Sequence, residues 1–250
     1  MKEKLYTIDL NDAVRSGDEC LFCWLERKLE QSAVEFVLGS SYMESDVREK
    51  TDQQGFCRPH TKIMYDYGNA LGNAWIQKTR LQYVRKHLKA QTDSYKPQKS
   101  GWFGAARKSG PEGNGVSAWI REQESHCYVC ARVRDTYERM LGTFVYMLKQ
   151  DEDFGKQLTA SCGFCVHHFA DVADICEKSL SEKEKEVWMP ELFSLMEKNL
   201  DRVQEDINWM IEKYDYNNQD ADWKNSRDAL QRTMQKTSGG HPADPVFKSK

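Results

Sequence analysis

Cysteine and histidine recur along this chain at spacings that suit a tetrahedral metal ion. Each of two repeats joins a Cys-x-x-Cys pair to a later Gly-Phe-Cys-x-x-His segment. The candidate ligands are Cys20, Cys23, Cys57 and His60 in the first repeat and Cys127, Cys130, Cys165 and His168 in the second. The repeats are offset by about 107 residues, with 33 and 34 residues between their second and third cysteines. This self-similarity indicates an internal duplication.

The spacing within each motif explains how four side chains could meet at one ion. Two cysteines separated by two residues can turn both sulfurs to the same side, and a Cys-x-x-His at a helix start places residues i and i+3 on one face. Three thiolates and one imidazole complete the shell of a structural zinc and leave no position for a reactive water. Two structural zinc ions are therefore predicted, with an iron–sulfur cluster as the alternative, although such clusters favour cysteine.

The segments between the ligands have the periodicity of helices. One apolar face follows each Cys-x-x-Cys pair, and its members are Leu25, Leu29, Ala33 and Phe36 in the first repeat and Val133, Tyr137, Met140, Leu141, Phe144 and Leu148 in the second. Such a helix runs about 25 Å away from its cysteines. If a return arm covers the same distance, the metal closes the open end of a helical hairpin. Equal spacing makes ligand sets drawn from one repeat the simpler expectation, although the sequence leaves open an exchange between repeats.

The composition agrees with an all-α fold. Charged residues make up 30% of the chain, and glycine and proline together fill only 21 positions. The apolar pattern from Val187 to Tyr214 predicts a long helix with Pro190 near its start, and a last short helix is expected over 220–236. The expected architecture is two helical-hairpin repeats, each closed by a Cys3His site, plus the long C-terminal helix.

The predicted domain boundaries follow the duplication. Residues 1–91 form the first helical domain, 92–117 a basic linker containing glycine and proline, 118–237 the second domain with the C-terminal helices, and 238–250 a flexible tail.

A basic segment stands out from an otherwise acidic chain. Lys78 to Gly110 carries a formal charge of +8, within a chain whose net charge is −3. Tyr95, Trp102 and Phe103 are interleaved with its lysines and arginines, a mixture that suits single-stranded nucleic acid or an anionic surface. A solvated linker is the favoured interpretation, because charge runs usually serve to solvate a chain.

Several classes of protein are disfavoured. The N-terminal residues lack the apolar core of a signal peptide, and no stretch of sequence is apolar enough for a membrane span, so a cytoplasmic location is expected. Cysteines in that compartment are ligands or core residues rather than disulfides. Trp24 and Ala131 follow the Cys-x-x-Cys pairs where haem attachment requires histidine. We find no Ser/His/Asp arrangement, phosphate-binding loop or HExxH motif, and so expect no catalysis.

Three other residues of ligand type are given other roles. Cys162 and His167 are possible substitute ligands, but neither has a counterpart in the first repeat, and Cys176 falls on an apolar helix face where a core role is expected. The function predicted from these features is a zinc-binding scaffold or regulatory adaptor for another protein. The alternative is a thiol-based redox or metal-responsive switch.

The chain resembles a family of uncharacterised bacterial proteins defined only as a domain of unknown function. The resemblance lies in the paired segments ECLFC/GFCRPH and HCYVC/GFCVHH together with the C-terminal DADWKNSRDALQRTMQKTSGG, and it covers nearly the full chain. It implies a helical, metal-binding protein with no established activity. The basic segment Lys78 to Gly110 matches no motif of that family.

Overall fold

The computed structural model describes residues 5–96 and 115–243, and every regular element within those ranges is helical. The all-α class is thereby confirmed. The α-helices are α1 (Thr7–Arg15), α2 (Leu21–Leu38), α3 (Ser45–Gln54), α4 (Arg58–Asp66), α5 (Ala70–Asp93), α6 (Gly115–Ser125), α7 (Tyr128–Gln150), α8 (Glu152–Thr159), α9 (Val166–Ser179), α10 (Glu182–Glu212) and α11 (Ala229–Ser238). Short 3₁₀ helices lie at Ser41–Met43 and Tyr216–Asn218.

The chain divides into two compact units. Among the described residues, the first unit contains 5–29 and 135–243, and the second contains 30–96 and 115–134. The sequence instead predicted one domain for each repeat, separated by a linker over 92–117. The division differs because α2 and α7 are long continuous helices, and each begins in one unit and ends in the other.

The first unit is built around an aromatic core. Phe22, Phe144, Phe154 and Phe164 are all fully buried. The ring of Phe144 lies 5.6 Å from that of Phe22, 5.8 Å from that of Phe154 and 6.0 Å from that of Phe164, in edge-to-face contacts. Burying one such side chain contributes roughly 1.5–3 kcal/mol to stability. Phe22 and Phe164 each adjoin a candidate ligand in sequence, so this core fixes the backbone that carries those ligands.

The predicted apolar face of α7 is confirmed. All six of its predicted members are buried, and the face of α2 is buried at Leu25 and Ala33. Leu29 is partly buried, and Phe36 is 36% exposed, with its ring centre 4.2 Å from the guanidinium carbon of Arg132. A cation above the ring face supplies part of the stabilisation that burial would otherwise give.

Part of the basic segment Lys78 to Gly110 is helical and not linker. Residues 78–93 belong to this 24-residue helix, whose N-cap Asn69 accepts a hydrogen bond from the N–H of Gly72. The preceding helix α4 ends at Asp66, and Gly68 adopts a φ of 96° between the two helices. Tyr95 is exposed, whereas Trp102 and Phe103, with most of the predicted linker, lie outside the described residues.

The C-terminal helices differ from prediction at their starts. Helix α10 begins at Glu182, and Pro190 lies inside it rather than at its start. The N-terminal signal that operates is Ser181 with Glu184, whose carboxylate accepts the Ser181 N–H at 2.7 Å. Helix α11 begins at Ala229 rather than near residue 220. Part of the intervening segment is turns, where the ammonium of Lys213 donates to three backbone carbonyls.

None of the helices within 5–96 and 115–243 combines the length and the apolar composition needed to cross a bilayer.

Candidate metal centres

All eight predicted ligands come together, in two clusters of three cysteines and one histidine. Cluster 1 consists of Cys20, Cys23, Cys165 and His168, and cluster 2 consists of Cys57, His60, Cys127 and Cys130. Within each cluster the ligand atoms lie within 4.8 Å of one another. Each of these groups could hold a metal ion.

The predicted pairing of the motifs is wrong. The sequence favoured ligand sets drawn from one repeat, Cys20/Cys23/Cys57/His60 and Cys127/Cys130/Cys165/His168. Instead, each cluster takes its Cys-x-x-Cys from one repeat and its Cys-x-x-His from the other. The two repeats have exchanged halves, so the expected hairpin-closing sites do not form.

Helix lengths explain the exchange. Helix α2 has 18 residues, about 27 Å at 1.5 Å per residue, whereas the returning helix α3 has 10 residues, about 15 Å. In the second repeat, α7 has 23 residues and the returning α8 only 8. The return arm is therefore shorter than the outgoing helix in both repeats. Each Cys-x-x-His stops short of its own Cys-x-x-Cys and meets that of the other repeat.

In cluster 1, backbone conformation aims the ligands at one point. Cys20 immediately precedes α2, and its sulfur accepts the N–H of Cys23 at 3.4 Å. Cys165 is the N-cap of α9 and accepts the N–H of His168 at 3.4 Å. The chain enters this cap through Gly163, whose φ of 73° favours glycine and whose carbonyl accepts the N–H of Leu21.

Cluster 2 repeats this local geometry with different neighbours. Cys57 is the N-cap of α4, with a proline in the first turn of that helix. Gly55 adopts a φ of 63°, and a side chain there would meet the guanidinium of Arg80 at 2.7 Å. The carbonyl of Gly55 accepts the N–H of Tyr128, while the sulfur of Cys127 accepts the N–H of Cys130.

The spacing of the ligand atoms fits a tetrahedral zinc shell. Bond lengths of about 2.3 Å to sulfur and 2.0–2.1 Å to nitrogen place two sulfurs about 3.8 Å apart, and a sulfur and a nitrogen about 3.5 Å apart. In cluster 1, Nδ1 of His168 lies 3.3–3.4 Å from all three sulfurs, and Cys23 Sγ lies 3.8 Å from Cys165 Sγ. The donor set and its size therefore match this ion.

Cluster 2 has the same dimensions. Nδ1 of His60 lies 3.1 Å from Cys57 Sγ and 3.3 Å from the sulfurs of Cys127 and Cys130. The sulfurs of Cys57 and Cys130 are 3.8 Å apart. Both clusters thus turn Nδ1, and not Nε2, toward the sulfurs.

The outer nitrogen of each histidine meets a glutamate on α2. His60 Nε2 lies 3.1 Å from Glu30 Oε1 in a hydrogen bond, and His168 Nε2 lies 3.1 Å from Glu26 Oε2 in a less well aligned charge contact. Carboxylates in this position fix the ring orientation and the tautomer of metal-binding histidines. Neither glutamate was predicted from the sequence, because charged residues on a helix are usually solvated surface.

Contacts within the clusters shift the pKa values of both histidines and of one thiol. Burial opposes a charge on His60, but hydrogen bonds with Cys127 and Glu30 outweigh it and raise the pKa of the ring to about 10. For His168 burial again opposes the charge, but hydrogen bonds with Cys165 and Cys20, together with the charge contact to Glu26, raise the pKa to about 12. Burial likewise opposes ionisation of Cys127, but the hydrogen bond with His60 lowers the pKa of this thiol to about 6. A metal ion would therefore displace a proton from an imidazolium–thiolate pair.

The C-terminal segment contacts cluster 1. The N–H of Gly240 donates to Cys23 Sγ at 3.2 Å. A Cβ added at Gly239 would lie 3.5 Å from Cys165 Sγ. The sequence assigned both glycines to a flexible tail, whereas they lie against the sulfurs. Residues 244–250 of that tail lie outside the described residues.

A buried ionic network supports the same cluster. Glu19, which precedes the first ligand, is 4% exposed and lies 2.5 Å from the guanidinium of Arg202 and 3.2 Å from the ammonium of Lys236. Lys236 is 1% exposed and also donates to the carbonyl oxygens of Glu19 and Cys162. Burial opposes ionisation of Glu19, but these cations lower the pKa of its carboxyl group. Helix α11 is thereby attached to the residue beside Cys20.

The remaining ligand-type residues take lesser roles. Cys176 is fully buried in the core of the first unit, as predicted, and burial raises the pKa of its thiol to about 11. Cys162 is half-buried and belongs to neither cluster. His167 is exposed, and its grouping with His168 and Asp171 draws on a histidine that cluster 1 already contains.

Fold and clusters together define an all-helical protein with two Cys3His groups that could hold metal ions. The chain belongs to the family of unknown function DUF6062, whose model matches residues 1–244. The predicted resemblance to a family of unknown function is therefore confirmed. No curated protein and no solved structure matches the chain.

Proposed function

We propose that this protein binds two zinc ions as structural elements, one in each cluster, and acts as a non-catalytic scaffold or regulatory adaptor. The observation that carries the proposal is the tetrahedral spacing of three sulfurs and one Nδ1 in both clusters. Four protein ligands fill the zinc shell, so no position is left for the water that hydrolytic catalysis requires.

Zinc is the metal that this donor set favours. Cysteine thiolates and imidazole are the usual ligands of structural zinc, and iron–sulfur clusters are held mainly by cysteine alone. The glutamates behind both histidines add support, because they orient each ring and increase its basicity toward a cation.

The structural role follows from what the ligands join. Cluster 1 links residues 20 and 168, and cluster 2 links residues 57 and 130. An ion in either position ties together segments that are far apart in the sequence and so favours the folded state over the unfolded chain. The proposed partner is another protein, because a net charge of −3 gives the chain no general attraction for nucleic acid.

Elemental analysis of the purified full-length protein tests the proposal. We expect two zinc ions per chain and no stoichiometric iron. Removing the metal with a chelator should lower the melting temperature measured by circular dichroism, because the metal-binding free energy is coupled to folding. The variant Cys176→Val is a matched control, since it removes a core thiol and should keep both ions. Metal-free protein with unchanged stability, or iron with visible absorbance, would contradict the proposal.

A further inference from the structure

The two clusters have the same donors but differ in the exposure of their cysteine residues. In cluster 1 the three cysteines are at most 1% exposed. In cluster 2 Cys127 is buried, Cys57 is half-buried and Cys130 is exposed. Cluster 2 therefore has two cysteines that are open to solvent at least in part, and cluster 1 has none.

The glycine pair that follows α11 lies against the sulfurs of cluster 1. Gly239 and Gly240 have φ values of 78° and 75°, in the region that favours glycine. This conformation lets the backbone approach so closely that the N–H of Gly240 reaches Cys23 Sγ at 3.2 Å. Lys236, on the last turns of α11, holds the segment in place through its bonds to the carbonyls of Glu19 and Cys162.

The two more exposed cysteines of cluster 2 are also neighbours. Cys57 Sγ and Cys130 Sγ are 3.8 Å apart, although the two residues are 73 positions apart in the sequence. We propose that cluster 2 is an oxidation-sensitive site at which a hydroperoxide joins Cys57 to Cys130 and releases the metal, whereas cluster 1 keeps its ion. This inference rests on the proposed zinc binding and adds a regulatory role to one of the two sites.

The reaction balances with hydrogen peroxide as the oxidant. The sulfur of Cys130 attacks one peroxide oxygen, the O–O bond breaks, hydroxide leaves and Cys130 becomes a sulfenic acid. The sulfur of Cys57 then attacks this sulfur, so that an S–S bond forms, the S–O bond breaks and a second hydroxide leaves. The two sulfurs lose two electrons, and the two peroxide oxygens gain them. Zinc keeps only Cys127 and His60 as ligands and dissociates.

The experiment uses the full-length, zinc-loaded protein, with its metal content measured first. Dilute hydrogen peroxide is added, and a chromogenic zinc indicator follows release while peptide mass mapping identifies the oxidised cysteines. We expect one equivalent of zinc to leave at least about ten times faster than the second, because thiolate oxidation depends on access. The first phase should coincide with a disulfide linking the peptides that contain Cys57 and Cys130. Reduction with dithiothreitol and added zinc should restore two ions per chain.

Two variants make the result specific. Cys162→Ser removes a half-buried cysteine that belongs to neither cluster, and it should leave the fast phase unchanged. Gly240→Pro removes the N–H that bonds Cys23, and it should accelerate the second phase alone. Release of both ions at one rate, faster loss from cluster 1, or a disulfide other than Cys57–Cys130 would overturn the inference. Protein without zinc at the start would instead refute the proposed function.

Discussion

At the residue scale, the eight candidate ligands were predictable from the sequence, whereas the glutamates beside the two histidines were not. Cysteine and histidine separated by two residues carry a local signal, because one helical turn is enough to bring their donor atoms together. Glu26 and Glu30 carry no such signal, since charged residues on a helix are most often solvated surface. Their contacts with the histidines depend on the tertiary structure, in which each histidine Nε2 lies 3.1 Å from a glutamate carboxylate oxygen.

Glu30 should therefore determine the metal affinity of cluster 2. Replacing it with alanine removes the hydrogen bond that orients His60, and we expect the affinity of that site to fall about 10–100-fold. The metal affinity of Glu30→Gln should lie between that of the natural protein and that of Glu30→Ala, because the amide oxygen still accepts a hydrogen bond but lacks the charge. Titration against a competing chelator measures both.

The matched control for this prediction is Glu35→Ala on the same helix. Glu35 accepts a hydrogen bond from Gln31 and belongs to neither cluster. Its variant should bind both ions as tightly as the natural protein does. An equal loss of affinity in the Glu30 and Glu35 variants would show that helix stability, and not ring orientation, is being measured.

Cys176 gives a separate residue-scale prediction for alkaline pH. Burial raises the pKa of its thiol from 9.0 to about 11, so the folded state keeps a proton that the unfolded chain loses above pH 9. The contribution of the Cys176 thiol to the free energy of unfolding is fully present below pH 9 and is lost as the pH rises toward 11. At 1.36 kcal/mol per pKa unit, the loss is at most about 2–3 kcal/mol.

Denaturant unfolding at pH 8 and pH 10.5 measures this effect by difference. The free energy of unfolding of the natural protein should fall more between these pH values than that of Cys176→Val, which has no thiol to ionise. Other groups titrate equally in both proteins and cancel from the comparison. Parallel pH profiles would rule out the neutral buried thiol as the cause.

At the element scale, periodicity predicted where helices lie but not how they end. The face of α7 was readable because each of its members is buried on one side of a continuous helix. The start of α10 was misplaced because Pro190 is a general start signal, whereas the operative contact is local to Ser181 and Glu184. The pairing of the motifs was misassigned because it depends on the relative lengths of α2 and α3, which the sequence indicated only loosely.

The end of α11 offers an element-scale prediction, because the backbone conformation of its C-cap Gly239 favours glycine. Its φ of 78° with a ψ of −175° is a conformation open to glycine, and an added Cβ would lie 3.5 Å from Cys165 Sγ. Gly239→Ala should lower the free energy of unfolding by about 1–3 kcal/mol. Chemical denaturation followed by circular dichroism measures the change.

Gly142 supplies a matched glycine with the opposite expectation. It lies within α7 on an exposed position, and a Cβ there would meet no heavy atom within 4 Å. Alanine is the better helix former, so Gly142→Ala should raise stability by roughly 0.5–1 kcal/mol. If both substitutions shifted stability in the same direction, the special conformation of Gly239 would not be the reason for its effect.

At the scale of the whole molecule, the duplication was visible in the sequence but its exchange was not. The spacings of 33 and 34 residues are compatible with ligand sets drawn from one repeat and equally with sets that combine motifs from both repeats. The pairing of the motifs depends on the three-dimensional path of the chain, in which each outgoing helix is longer than the helix that returns from it. The boundaries of the compact units therefore fall within α2 and α7 and not between the two repeats.

The exchange can be tested by counting metal ions in paired variants. Because Cys20 and His168 belong to one cluster, Cys20→Ser with His168→Ala should damage a single site and leave one zinc per chain. Cys20→Ser with His60→Ala should damage both clusters and leave none. Pairing within repeats predicts the reverse, with one ion kept in the second double variant and none in the first. Elemental analysis of the folded proteins distinguishes the two arrangements, and the single variants, each expected to keep one ion, show that neither substitution alone empties the distant site.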